Sequence, residues 1–342
     1  MMAQPNVTDP LRGEVERCSR CLGRLRAELA RVVVGQERFV EQVLIGLLAS
    51  GHVLVEGVPG LAKTLLLRTL ASAAQLEFRR IEFTPDLTLE DLIGCSGLGP
   101  SAGQDELAAP TGPLSAHVIL ADQIDRGPPK TQAAFLDAIH QGEVVAGGAR
   151  MPLAKPLFVV ATRNPADQEG TYRVGQSALD RFLMHLRMEY PRGEDEWEIA
   201  RRGIAAVGGR VEPLTDGEEI LRFQQLLGRL PISDPVLRYA WTLVRATRPQ
   251  SAEAPEMVDR WFAWGAGPRA VVALAACAKA RAILCGRWAA KIADVEAMAP
   301  AVLRHRVAPN EIAQADALSA DKLIHMLMEA IRREHHEDYG LP

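Results

Sequence analysis

The chain has 342 residues, more than one ordinary core accommodates, because single cores rarely grow far beyond roughly 250 residues; two or more domains are expected. Its 48% hydrophobic and 24% charged residues are the balance of a globular protein, and no apolar run approaches the roughly 18 residues that span a bilayer, so no membrane insertion is expected. A net charge of −4 provides no general attraction to nucleic acid, whose binders carry a basic stripe, and this argues against a nucleic-acid partner.

The first residues, MMAQPNVTDPLRGEVERC, are polar and acidic and lack the basic-then-apolar order of a secretory signal, so a cytoplasmic location is expected. Cys18, Cys21, Cys95, Cys277 and Cys285 are odd in number and scattered, which fits a reducing compartment better than a disulfide framework. Apolar residues at helical spacing predict a helix from Glu14 to about Arg31, and a second from Glu37 to Ala49 after the break at VVVGQ. HVLVEG (52 to 57) reads as a short buried strand, followed by a helix from Lys63 to about Ala74.

RRIEFT (79 to 84), HVILAD (117 to 122) and LFVVATRN (157 to 164) read as further parallel strands, with the helix PKTQAAFLDAIHQG between the last two. Strands alternating with helices predict an α/β, doubly wound parallel sheet, whose ligands sit outside the carboxyl ends of the strands. The Gly/Ala/Pro-rich stretch from Gly97 to Pro113 reads as a mobile insertion. Beyond Pro191 the strand pattern ends, and helices are expected at 194 to 206, 216 to 229, 233 to 248, 268 to 285, 291 to 305 and 320 to 336. The expected division is a helical segment 1–30, an α/β nucleotide-binding domain 31–192 and an all-α lid 193–342.

The strongest chemical signal is Gly57-Val58-Pro59-Gly60-Leu61-Ala62-Lys63-Thr64, then Leu65, placed after a strand and opening a helix as a phosphate loop must be. Backbone N–H groups of such a loop wrap phosphates, the helix N-terminus favours the anion, the lysine bridges β- and γ-phosphates, and the threonine ligates Mg2+. ATP and Mg2+ are therefore the expected cofactors, with Thr64 and Asp122 as metal ligands. Ala62 stands where the general pattern has glycine; it is tolerable if the turn there is right-handed. An aspartate ending a strand is commonly a loop start, but beside GVPGLAKT Asp122 reads as the acid completing the Mg2+ shell.

Four blocks in order, GHVLVEGVPGLAKTLLLRTLA, ADQIDRGPPKTQAAFLDAI, ATRNPADQEGTYRVGQSALDRFLM and GAGPRA, resemble the signature blocks of the MoxR family of AAA+ ATPases, from about Val33 to Val307. The resemblance implies an AAA+ P-loop NTPase domain with a helical lid. It also implies that Asn164 acts as sensor 1 on water or γ-phosphate, that Arg181 is an arginine finger offered to a neighbouring subunit, and that Arg269 is sensor 2. Val34 and Gly35 would pack near adenine. A finger acting in trans implies a ring, with a hexamer expected, that remodels a protein client; proteins with von Willebrand factor A domains are the partners the family implies.

The chain departs from the family where Gln123 replaces the glutamate that polarises the attacking water. An amide orients water but cannot take its proton, and loss of a general base typically costs about 10² to 10⁴ in rate. Three readings stay open: an introduced ATP trap, a natural ATP-binding switch or scaffold, and rescue by another acid such as Asp125. Gln176 and Asp125 also differ from the usual family residues. Cys18 and Cys21 form a single CxxC, which reads as structure rather than zinc; Cys277 and Cys285 read as small core residues of the lid; His335 and His336 read as a solvated helix end.

Overall fold

The computed structural model describes residues 9–94, 112–146, 149–165, 170–203 and 211–334. They divide into two compact units, one of residues 21–182 and 186–224, the other of residues 1–20, 183–185 and 225–342. In chain order the elements of the first half are α1 (Asp9–Val32), α2 (Glu37–Leu48), β1 (Val53–Glu56), α3 (Lys63–Ala73), β2 (Phe78–Glu82), α4 (Leu89–Ile93), β3 (Val118–Asp122) and α5 (Pro129–Gln141). Then come β4 (Glu143–Ala146), β5 (Ala149–Pro152), β6 (Phe158–Arg163), α6 (Gln176–Leu179), β7 (Met184–Arg187) and α7 (Gly193–Arg202).

The main sheet has the order β2-β3-β6-β1-β7, and β2/β3, β3/β6 and β1/β6 run parallel. Sequential neighbours β1 and β2 are thus separated by two later strands, which opens a crevice at the carboxyl ends around β1. β1, β3 and β6 share one burial pattern: every residue is buried except the last, and those last residues are Glu56, Asp122 and Arg163. Apolar runs therefore anchor the strands between helical layers and deliver a polar residue at the same rim. Below that rim Phe83 and Phe135 meet edge to face, with centroids 5.3 Å apart, inside a core that includes Leu54, Ile119 and Val159.

His52, just before β1, is a fixed polar group under the sheet. Its Nε2 lies 3.0 Å from the carbonyl oxygen of Ile139, and its Nδ1 accepts the Val159 N–H at 3.3 Å. Both bonds are made only by the neutral ring with its hydrogen on Nε2. Burial pushes the ring below its ordinary pKa, against the Ile139 hydrogen bond and with help from His140.

The second half comprises α8 (Gly217–Arg229), α9 (Asp234–Ala246), α10 (Glu256–Trp261), β8 (Phe262–Trp264), α11 (Arg269–Leu284), α12 (Ile292–Leu303), β9 (Ala308–Pro309), α13 (Glu311–Ala315) and α14 (Ala320–Glu334). The expected all-helical character needs one amendment, because β8 and β9 pair antiparallel. Two short strands are invisible to periodicity. β7 and the β4/β5 pair also lie outside the strands read from sequence, since MHLR and EVVA are too brief to separate from their flanks. The insertion expected from Gly97 to Pro113 falls mainly outside the described residues.

In the helical unit Asp294, at the start of α12, has no exposed surface. Its carboxylate accepts from Arg281 at 2.6 Å, from Arg287 at 2.6 and 2.7 Å, and from the Lys291 N–H at 2.8 Å. Burial by itself would raise this carboxyl, but hydrogen bonds from Arg287, Lys291 and Arg281 outweigh it and hold the group below the usual carboxylate range. Cys277 is buried on α11 and its thiol is pushed up to about 12 by burial, whereas Cys285 caps that helix and is exposed, so the core reading applies to Cys277 alone. Cys18 is buried and Cys21 half-buried on α1, while His335 and His336 lie outside the described residues. Among the described residues no helix is long and apolar enough to cross a membrane.

Candidate nucleotide site

At the rim of the sheet a cavity of about 430 Å³ is lined by the loop residues Gly57 and Pro59 to Leu65, by Asp122 and Gln123 after β3, and by Thr162, Arg163 and Asn164 at the end of β6. Three sequence-distant segments thus converge on one space. The glycines have separate reasons. A Cβ on Gly57 would lie 2.9 Å from the Met188 side chain, while Gly60 has φ +87°, a conformation L side chains rarely adopt. The Lys63 ammonium donates to the carbonyl oxygens of Gly57 and Val58 at 3.0 and 2.8 Å, folded back across its own loop. Burial lowers its pKa, and Asp122 works in the opposite direction.

Ala62 requires a correction. It takes φ 60° and ψ 21°, the left-handed region, as the residue that caps α3. The turn is not right-handed, so alanine carries a local strain that glycine would relieve, on the order of 1 kcal/mol.

Asp122 is held on both oxygens. Thr162 Oγ1 donates to Oδ1 at 2.6 Å, while Arg80 donates to Oδ2 through Nε at 3.0 Å and Nη2 at 2.6 Å. The Thr162 hydroxyl also accepts the Gln123 N–H at 2.9 Å, so one threonine fixes two adjacent site residues. Gln123 itself has φ 55° and ψ 55°. A left-handed non-glycine residue costs on the order of 1 kcal/mol or more and persists only where its surroundings hold it, as Thr162 does here. Asn164 is nearly buried and lines the cavity. Asp125 follows Gln123 on a short 3-10 turn and is half-buried, outside the set that lines the cavity.

A second, more apolar cavity of about 350 Å³ shares Pro59 to Ala62 and Leu65 with the first and is closed by Val33, Val34, Gln36, Tyr190, Pro191 and Ile199. Gln36 holds the carbonyl of Glu189 at 3.0 Å and so ties the start of α2 to the segment after β7. Gly35, with φ +74°, turns the chain between α1 and α2. The two adjoining cavities suit a molecule with one anionic and one flat apolar end.

Arg181 lines neither cavity and is paired with Asp137 of α5 at 2.5 Å. Arg269 is the first residue of α11, in the other unit. Arg80, Thr162, Arg163 and the apolar lining Tyr190 and Ile199 were not singled out from sequence. Thr162 and Arg163 lie within the ATRNP block, and a search of the strand-end neighbours of Asn164 would have reached them. Arg80 needed the pairing of β2 beside β3, which puts Glu82 opposite Asp122.

Residues 52–184 match the model of the ATPase family associated with various cellular activities, and residues 255–325 match its lid domain. The chain is 35% identical to Chaperone MoxR1 of Mycobacterium tuberculosis over 96% of this chain and 85% of that protein. It is 30% identical to Protein MoxR of Methylorubrum extorquens, over 83% of this chain and 86% of that protein. The crystal structure of a candidate ATPase from Cytophaga hutchinsonii superposes with a TM-score of 0.82 at 32% identity, over 93% of this chain and 96% of that one.

Proposed function

The chain belongs to the MoxR family of AAA+ ATPases, and from that premise we propose that it binds ATP with Mg2+ across the two cavities and uses the nucleotide cycle to remodel a protein client. The observation that carries this reading is the convergence of the 57–64 loop, Asp122–Gln123 and Asn164 on one space. The donor set fits the cofactors: loop N–H groups and Lys63 for phosphate, Thr64 hydroxyl and Asp122 carboxylate for a hard cation, Val34, Tyr190 and Ile199 for the base. When bound, Mg2+ neutralises charge developing between the β- and γ-phosphates.

Lys63 would exchange its loop carbonyls for phosphate oxygens, a trade helped by its lowered pKa only in that the freed ammonium is poorly solvated where it now sits. Asn164 would orient the attacking water through its amide, and Gln123 would share that task without accepting a proton. Arg181, supplied across a subunit interface, and Arg269, reaching from the lid, would stabilise the transferred charge, a contribution of about 10³ to 10⁵ for a finger of this kind. A site completed by a neighbour's arginine supports a ring, proposed as a hexamer, acting in the cytoplasm on a protein with a von Willebrand factor A domain. Asp86, Glu90 and Asp91 after β2 place acid where a nucleic-acid motor would need base, so nucleic acid is the disfavoured client.

A second reading, an ATP-gated scaffold with little turnover, is favoured by Gln123 alone. Steady-state hydrolysis of the chain and of Gln123→Glu, with assembly followed in the same samples, separates the two. The expected result is nucleotide-dependent assembly in both and turnover raised about 10² or more in the Glu variant. Equal rates would show that Gln123 does not limit the chemistry, and absence of nucleotide binding in both would overturn the ATP reading.

A further inference from the structure

Asp122 is unevenly held, and the unevenness has chemical content. Oδ1 is bonded to Thr162, a neutral hydroxyl on a central, buried strand that also holds the Gln123 N–H. Oδ2 is bonded to Arg80, a cation on the edge strand β2 whose side chain is 46% exposed. The Arg80 guanidinium also has a second acid within reach, since Nη2 lies 3.6 Å from Glu82 Oε2, and Glu82 stands directly opposite Asp122 in the strand register. Arg80 lines the same cavity as the phosphate loop.

We propose that Arg80 is a positioning residue that occupies Oδ2 of Asp122 in the nucleotide-free state and would pass to Glu82 when Mg2+ binds with the nucleotide. The proposal rests on Asp122 being a metal ligand. A guanidinium and a divalent cation on one carboxylate oxygen repel each other, so each weakens the other's hold there. Thr162 is uncharged and rigidly placed, so it stays; Arg80 is charged, half-exposed and has a second acceptor on its own strand, so it goes. Until then Arg80 neutralises the Asp122 carboxylate and competes with the cation for Oδ2. It thereby sets the Mg2+ concentration at which the site closes.

The test is the Mg2+ dependence of equilibrium binding of a fluorescent ADP to the full chain, for the parent, Arg80→Gln, Glu82→Gln and Asp122→Asn. Removing the competitor in Arg80→Gln is expected to lower the Mg2+ midpoint roughly three- to tenfold. Removing the second acceptor in Glu82→Gln is expected to raise the midpoint about twofold. An unchanged or higher midpoint in Arg80→Gln overturns the proposal. Asp122→Asn reads the premise separately: a parent-like Mg2+ response there removes Asp122 as a metal ligand and the Arg80 role with it. If Arg80→Gln unfolds, Arg80→Lys keeps the charge but loses the two-nitrogen contact to Oδ2, and its midpoint must then fall below that of the parent for the proposal to stand.

Discussion

Asp294 and Asp122 are both bound by arginine, but in opposite settings. Asp294 in the helical unit is wholly buried and accepts from two arginines and a backbone N–H. Asp122 at the sheet rim is partly exposed, held by a hydroxyl from a buried strand and by a half-exposed guanidinium. Full enclosure makes the first a structural joint, because its charge has nowhere else to be solvated. Partial exposure leaves the second free to exchange partners at low cost. The same pair of residue types is therefore sealed from water in one place and open to it in the other.

The sharpest way to break this contrast is to remove each carboxylate. Asp294→Ala removes the buried carboxylate that Arg281 and Arg287 share and is expected to destabilise the helical unit by about 3 kcal/mol, read as a lower denaturant midpoint. Asp122→Asn is expected to change stability by under about 1 kcal/mol while abolishing the Mg2+ response of nucleotide binding. Comparable stability losses in the two variants would erase the distinction.

A smaller effect concerns the other fixed polar group, His52. Its folded pKa lies below the unfolded value of about 6.5, so near that pH the folded state binds fewer protons than the unfolded one. The stability it contributes is complete above that value and is lost as pH falls toward the folded pKa, on the order of 1 kcal/mol between pH 7.5 and 5.5. Denaturant midpoints at the two pH values, with His52→Gln as the comparison, measure it; a parent chain as stable at pH 5.5 as at 7.5 counts against the fixed neutral ring. The smallest effect belongs to the cleft. Ala62→Gly relieves the left-handed strain at the α3 cap and is expected to stabilise by about 0.5 to 1 kcal/mol. A loss of stability instead would mean that the loop gains more from the stiffer alanine than it spends in strain.

Much of the architecture was legible because its signals are local. A buried run closed by a polar residue, as in VLVE and VILAD, announces a central parallel strand, and a glycine loop opening a helix announces phosphate chemistry wherever it lies. β7, β8 and β9 were not legible, since FAW and AP are too short, and MHLR too mixed in polarity, to stand out from their flanks. The handedness at Ala62 was misjudged for a related reason: a single φ angle depends on how the loop meets its helix, and residue type only biases it.

By itself the sequence determined the chemistry available: which residues form a phosphate loop, that Asp122 ends a buried strand, that Gln123 lacks a proton acceptor, and that four blocks follow one family's order. Only the tertiary structure decided what each group touches. The order β2-β3-β6-β1-β7 is what brings Arg80 from an edge strand and Thr162 from a central one onto the same carboxylate. These residues lie roughly forty positions from Asp122 on either side, a separation that no local periodicity encodes and only strand pairing closes.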